Sequence, residues 1–384
     1  MSLGSKKGEN KSKRPANTAF KQQRLRAWQP LLTPRTVLPT FFIIGLIFAP
    51  IGGVLFWASE ILFEVTFNYT NCKSYPNQLT NLPSSDYEMH FGKSTTTKIV
   101  PQMKYDSSSN TCSIVFPIPK DVNSPIYLYY KLSHFYQNHR RYVKSFDQQQ
   151  LKGTARSASD LSGNDCDPLA TLTINGVTKP IYPCGLVANS VFNDTISDLT
   201  LLNPADSSAS GQVYPLSADD IAWESDTYRF GKTDYQNDDV YPPPNWASKY
   251  PDGYTDKNPI PDISNDTHLH VWMRTAGLPT FRKLYGVNKV DTLKNGTYQV
   301  DVVMNYDVTS FGGTKSIVVA TTSAIGGRNP ALGIAYISVG SLCVLLGIIF
   351  TIRHLYRPRR LGDHTYLSWN QQVQSGLSEP PVAH

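Results

Sequence analysis

Two long stretches without charge constrain this chain more than anything else in it. Residues 37–59, VLPTFFIIGLIFAPIGGVLFWAS, hold no ionisable side chain, and residues 331–352 form a second uncharged run near the other end. At about 1.5 Å of rise per residue, a helix of either length crosses the roughly 30 Å hydrocarbon core of a bilayer. One such run is equally compatible with a buried core helix. Two, each with basic residues on its outer flank, predict a membrane protein with two transmembrane helices. They divide the chain into an N-terminal tail (1–36), a first span (37–59), a large middle segment (60–330), a second span (331–352) and a C-terminal tail (353–384).

Charge orients this plan. The formal +6 of the 384 residues is the net of +8 in residues 1–36, −4 in the middle segment and +2 in residues 353–384. Lys and Arg beside a span mark its cytosolic end. Both tails are therefore expected in the cytosol, and the middle segment in a lumen or outside the cell. The first span does not read as a cleaved signal peptide. Its apolar run is too long, its basic leader takes up 36 residues, and no small-residue cleavage site follows it.

Cysteine usage agrees. Cys72, Cys112, Cys166 and Cys184 lie in the middle segment and Cys343 in the second span. Four cysteines in an oxidising compartment predict two disulfides, in one of three pairings. No C-x-x-C or paired-His spacing occurs, so no metal site is expected.

Before the first span, NTAFKQQRLRAWQP (17–30) predicts a short helix capped by Asn17 and ended by Pro30. Phe20 and Trp28 interleave there with Lys21, Arg24 and Arg26, a combination suited to docking against anionic headgroups or a partner. Within the spans, Gly45, Ala49 and Gly53 recur at spacing four, and Gly333, Gly340 and Gly347 at spacing seven. Such stripes let another helix approach closely. Neither span carries a charge of the kind that marks an ion pathway.

The middle segment predicts a mainly-β ectodomain, an antiparallel sandwich with long loops. Residues 297–308 place Tyr298, Val300, Val302, Met304, Tyr306 and Val308 on one face, the alternation of a half-buried strand. Residues 126–136, 268–275 and 315–322 read as further β-rich stretches. Residues 74–110, 151–165 and 196–220 read as Ser/Asn/Asp-rich connections, and the proline-rich 241–262 as a surface excursion. Asn-x-Ser/Thr sequons stand at Asn68, Asn193, Asn265 and Asn295 in this segment. A fifth, at Asn10, falls in the cytosolic tail and should stay bare.

No residues are nominated for catalysis. The GKT of residues 231–233 lacks the upstream glycine of a phosphate-binding loop, because Asp226 stands there. No H-E-x-x-H, G-x-S-x-G or kinase set occurs. His268 and His270 read as solvated surface histidines on a strand face. The basic cluster NHRR (138–141) reads as a solvated turn.

Several segments carry a resemblance. NTAFKQQRLRAWQP, IYLYYKLSHFYQNHRRYVKS, IYPCGLVANSVFNDT, IAWESDTYRFGKT, HLHVWMRTAGLPTFRKLYG, FGGTKSIVV and GGRNPALGIAYISVG run in order between Asn17 and Ser341. Together they resemble the cell-division-cycle protein 50 family, also called ligand-effect modulator 3, in its fungal wording. The resemblance implies a non-catalytic β subunit of a class-four P-type ATPase that flips phospholipids to the cytosolic leaflet. That role is an obligate heterodimer in which the β subunit supports the partner's exit from the endoplasmic reticulum and its phosphorylation cycle. Residence anywhere from the endoplasmic reticulum to Golgi, endosome or plasma membrane follows. The chain needs no cofactor of its own, since ATP and Mg belong to the partner, and no nucleic acid is involved. The aspartate of D-K-T-G on which such ATPases are phosphorylated is missing; the nearest string, DKNP at 256–259, lies on the luminal side. The resemblance further implies the disulfides Cys72–Cys112 and Cys166–Cys184 and a glycan at Asn193. Sequential closure of this kind also needs the least chain ordering. A rival class, a two-span ligand-gated channel subunit, shares the in–out–in plan but calls for polar pore-lining residues that these spans lack.

Overall fold

The computed structural model describes residues 15–27, 33–92, 99–203 and 211–358. They form two compact units. One contains most of two 27-residue apolar helices, α1 (Pro34–Glu60) and a helix at Pro330–Tyr356. The other, Leu55–Ala331, is an ectodomain of antiparallel sheets.

The ectodomain's main strands are β1 (Phe63–Asn68), β2 (Tyr87–Phe91), β3 (Gln102–Asp106), β4 (Thr111–Ile118), β5 (Ile126–Leu132), β6 (Leu199–Leu201), β7 (Gln212–Tyr214), β8 (Phe281–Asn288), β9 (Gly296–Val303) and β10 (Lys315–Ala320). A five-stranded sheet runs β8-β5-β10-β1-β2, and a second runs β7-β6-β9-β4-β3 with Thr80–Asn81 at its edge. Alternation in the sequence becomes the core. In β1, Phe63, Val65 and Phe67 point inward; in β9, Tyr298, Val300 and Val302 do. The two inner faces meet where Phe67 packs on Phe116, with ring centroids 4.8 Å apart; Phe116 in turn stacks on Tyr298, its cross-strand neighbour. β10 is buried at every position, as a central strand covered on both faces must be. The sulfurs of Cys72 and Cys112 are bonded, joining the turn after β1 to β4, and those of Cys166 and Cys184 close a satellite core around Leu161 and Ile181.

Four expectations need correction. Residues 268–275 are not a strand: Thr267–Met273 forms a helix, α2, and the helix at Pro330–Tyr356 is α3. The Asp266 carboxylate accepts from the Leu269 amide at 2.9 Å and caps α2. Leu269, Trp272 and Met273 bury a helical face, and the Trp272 indole donates to the Val187 carbonyl. The Lys283 ammonium reaches the carbonyls of Val271, Trp272 and Arg274 at the other end.

Second, the histidines are not solvated. His270 is buried, its Nε2 2.7 Å from the Ile263 carbonyl and its ring stacked on Phe230. Burial holds the half-buried His268 below the usual imidazole range. Third, β9 stops at Val303 instead of running to 308, and β5 stops at Leu132. Beyond Val303 the amides of Asn305 and Tyr306 turn to a carboxylate, Asp194, both at 2.6 Å. Fourth, the connections 74–110 and 196–220 contain strands β2, β3, β6 and β7.

Asp194 is the polar centre of this core. Besides those two amides it accepts from the Lys315 ammonium at 2.7 Å and the Tyr69 hydroxyl at 2.9 Å. The Lys315 and Asp194 side chains are 4% and 0% exposed. Burial pulls the ammonium of Lys315 below the usual lysine range against the attraction of Asp194. Burial, with Asp194 beside it, pushes the Tyr69 phenol well up. Removing one partner of such a pair strands the other, at a cost of about 3–5 kcal/mol. Asp194→Ala should therefore lower the thermal midpoint of the purified full chain sharply. The double variant Asp194→Asn/Lys315→Met, which keeps an acceptor for the two amides and removes the charge, should lose less.

Candidate partner-binding surfaces

The spans pack on one another through the small residues, as an antiparallel pair. The carbonyl of Gly340 and the side chain of Val344 crowd Gly45. A Cβ added to Gly340 would lie 2.8 Å from the Ala49 nitrogen; one on Gly52 would lie 2.7 Å from the Ile337 nitrogen and 2.9 Å from the Gly333 carbonyl. A Cβ on Gly347 would sit 3.1 Å from the Phe42 ring. Phe41 with Phe350, and Phe48 with Tyr336, add ring contacts at 5.7 and 5.1 Å. The face expected to receive a partner's helix on Gly45, Ala49, Gly333, Gly340 and Gly347 is thus occupied within the chain. Gly53 lies off this seam: space around it is open, and Gly52 stands on the seam instead. At about 100° per residue, a step of seven falls only ~20° short of two full turns, whereas a step of eight overshoots by ~80°. Spacing seven keeps Gly52 in line with Gly45; spacing eight carries Gly53 away.

Around the seam, Leu46, Val54, Leu342, Leu345 and Ile352 are exposed. These are the surfaces that face lipid or another helix.

In the N-terminal segment, residues 18–23 form a hydrogen-bonded turn, not the expected helix. The Gln22 amide donates to the Thr18 carbonyl at 3.0 Å and that of Arg24 to Ala19 at 2.7 Å. Asn17 accepts from the Arg24 guanidinium instead of capping a helix. Phe20 is 75% exposed, and Arg24 and Arg26 are exposed beside it. Trp28 lies outside the described residues, as does Asn10.

Sequence reasoning missed a charged cluster within the Leu55–Ala331 unit. Arg328 reaches Glu88 at 3.0 Å and Glu60 at 3.6 Å, and His90 lies 3.7 Å from Glu60. The Asn329 amide donates to the Ser59 hydroxyl, and its side chain accepts from Ala331, capping α3 with Pro330 in the first turn. The run GGRNP held this signal: a turn glycine, an arginine, a cap and an N-terminal proline. Gly327 leaves room for the Arg282 guanidinium, which a Cβ would strike; Arg282 in turn pairs with Glu64 at 2.8 Å.

The sequons fall in distinct settings. Asn265 and Asn295 are exposed. Asn68 ends β1 half-buried, its oxygen accepting from the amide and hydroxyl of Thr70. Asn193 lies on the wall of a cavity, beside Asp194. Residues 138–141 are exposed, as expected, but not all turn: Arg140 and Arg141 open a four-residue helix, Arg140–Val143. The GKT segment is structural: Gly231 and Gly153 cross so closely that a Cβ on either would strike the other segment's backbone, at Lys152 or Lys232.

Two apolar helices, joined through a small-residue seam, and one disulfide-bonded antiparallel ectodomain define a two-span membrane protein. The chain belongs to the LEM3 (ligand-effect modulator 3) family, or CDC50 family, whose model matches residues 55–360. It is 43% identical over 375 residues to the phospholipid-transporting ATPase accessory subunit CRF1 of Saccharomyces cerevisiae, covering 96% of this chain and 92% of that one. It is 38% identical to the phospholipid-transporting ATPase accessory subunit CDC50 of Chaetomium thermophilum, over 94% and 93% of the two chains. With the cell cycle control protein 50A of Mus musculus it shares 41% identity over 91% and 92%.

The seam generates a test. With Cys343 replaced by Ser, cysteines at positions 41 and 350 should cross-link under mild oxidation. Gly53→Leu should leave the yield unchanged, and Gly52→Leu should abolish it. Peptide mapping after cleavage between the spans reads the result.

Proposed function

We infer that this chain is the non-catalytic accessory subunit of a P-type ATPase that moves phospholipids across a membrane. The observation that carries the reading is end-to-end likeness to proteins named phospholipid-transporting ATPase accessory subunit, at 38–43% identity. The partner is a class-four P-type ATPase in a one-to-one heterodimer. It supplies the nucleotide site, the Mg site and the phosphorylated aspartate.

The division of labour fits what this chain presents. Residues 1–36 and 353–384 carry the positive charge expected of cytosolic tails. With both tails cytosolic, the ectodomain is luminal or extracellular. Phe20, Arg24, Arg26 and Trp28 meet the partner or its lipid on the cytosolic side, and the ectodomain covers its luminal loops. Contacts on both sides of a membrane bias the partner's conformational equilibrium, for which about 1–3 kcal/mol of coupling is enough. The chain accompanies the ATPase out of the endoplasmic reticulum, towards Golgi, endosome or plasma membrane.

The test is purification of the candidate ATPase with and without this chain. Phosphoenzyme formation and labelled-lipid transport should both need it, and the chain alone should hydrolyse no ATP. Equal activity in the two preparations would refute the reading.

A further inference from the structure

A cavity of about 530 Å³ opens beside the buried Asp194, a size typical of small-molecule sites. Tyr285 and Trp246 supply aromatic wall, and Ser248, Lys249 and Asp266 supply polar groups. A second cavity of about 430 Å³ shares Asn193, Asn245 and Ser248 with the first, so Asn193 stands on both. The Trp246 ring is fixed there, its indole donating to the Ala188 carbonyl at 3.0 Å.

Asn193 is the acceptor of an Asn-Asp-Thr sequon. Its neighbour Asp194 turns into the core and leaves Asn193 half-exposed on the cavity wall, with Thr195 exposed beyond. The Asn193 side-chain oxygen is buried without a hydrogen-bond partner, a state that costs free energy unless a donor reaches it. A pyranose ring fits such a wall. Its C–H face lies against an aromatic plane, and its hydroxyl and acetamido groups exchange hydrogen bonds with Asn, Ser, Lys and Asp side chains.

We propose that this cavity seats the first N-acetylglucosamine residues of a glycan on Asn193, so that the chain's own sugar fills it. The proposal rests on the luminal placement of the ectodomain given above. In the attachment step, the Asn193 amide nitrogen bonds to the anomeric carbon of an oligosaccharide linked to a polyprenyl pyrophosphate. The carbon–oxygen bond to the pyrophosphate breaks with its electron pair, and the amide loses one proton. Modification precedes closure, because residues 241–262, which carry Trp246, follow Asn193 in the chain and are made later. The sugar then ties that proline-rich excursion to the strands beneath.

The full chain, purified from membranes of a glycosylating eukaryotic host, is treated with peptide-N-glycosidase without denaturant. Release is followed site by site as Asn-to-Asp conversion in mass spectra. Asn265 and Asn295 serve as exposed references. Release at Asn193 should be at least about tenfold slower than at either reference, because it awaits local opening, and denaturation should equalise all three. Trp246→Ala should accelerate release at Asn193 alone. Equal rates in the native wild-type chain overturn the proposal, whatever the variant does. So does an unmodified Asn193 beside glycosylated references, which would leave the luminal placement standing. Absence of glycan at all three sites removes that placement and the proposal together.

Discussion

One buried carboxylate holds the ectodomain's parts in register. Asp194 joins Tyr69 after β1, Lys315 at the start of β10 and the chain leaving β9. Three segments from distant parts of the sequence thus converge on a single side chain. A charge at this depth is tolerable only when every lone pair is engaged, and four donors engage it. Moving any of the three segments would leave at least one charged or polar group stranded. The pair therefore selects one arrangement of the sheets more than it adds stability.

The spans and the ectodomain solve the packing problem differently. Strands bury large alternating side chains against a second sheet. The spans have no water to escape from, so they gain by close approach, and glycine supplies it. Because that face is turned inward on the chain's other helix, any partner in the membrane meets the bulkier Leu, Ile and Val surfaces around the seam. The two helices form one preassembled unit for such a partner to bind.

Much of this was legible from composition and period. The spans, the antiparallel ectodomain and the four ectodomain cysteines all rest on signals local to a few residues. What misled was context. HLHVWM has β-forming residues, and it is the Asp266 cap, the buried face of Leu269, Trp272 and Met273, and the Lys283 ammonium beyond it that make it a helix. Gly53 looked like part of a stripe because spacing four is one helical neighbour; over two turns the error accumulates and Gly52 wins. Asp194 passed as part of a sequon. Its partners sit more than 100 residues away in either direction, and a single sequence does not reveal such pairings. The Arg328 cluster is similar, since its acids come from residues 60 and 88.

The position of β10 sets a timetable for synthesis. Of the described strands it is the last made, yet it lies in the middle of its sheet, between β5 and β1. Until residue 320 has left the ribosome, β1 with β2 and β5 with β8 are separate ribbons, each with an open edge awaiting the same strand. Open edges of this kind invite pairing with other chains. Lys315 arrives on that same strand, so Asp194 is without its counter-charge for the same interval. The nascent ectodomain must be shielded for almost its whole length, and its maturation is a single late event. A truncation that removes only the end of the ectodomain would leave it as unfinished as one that removes half.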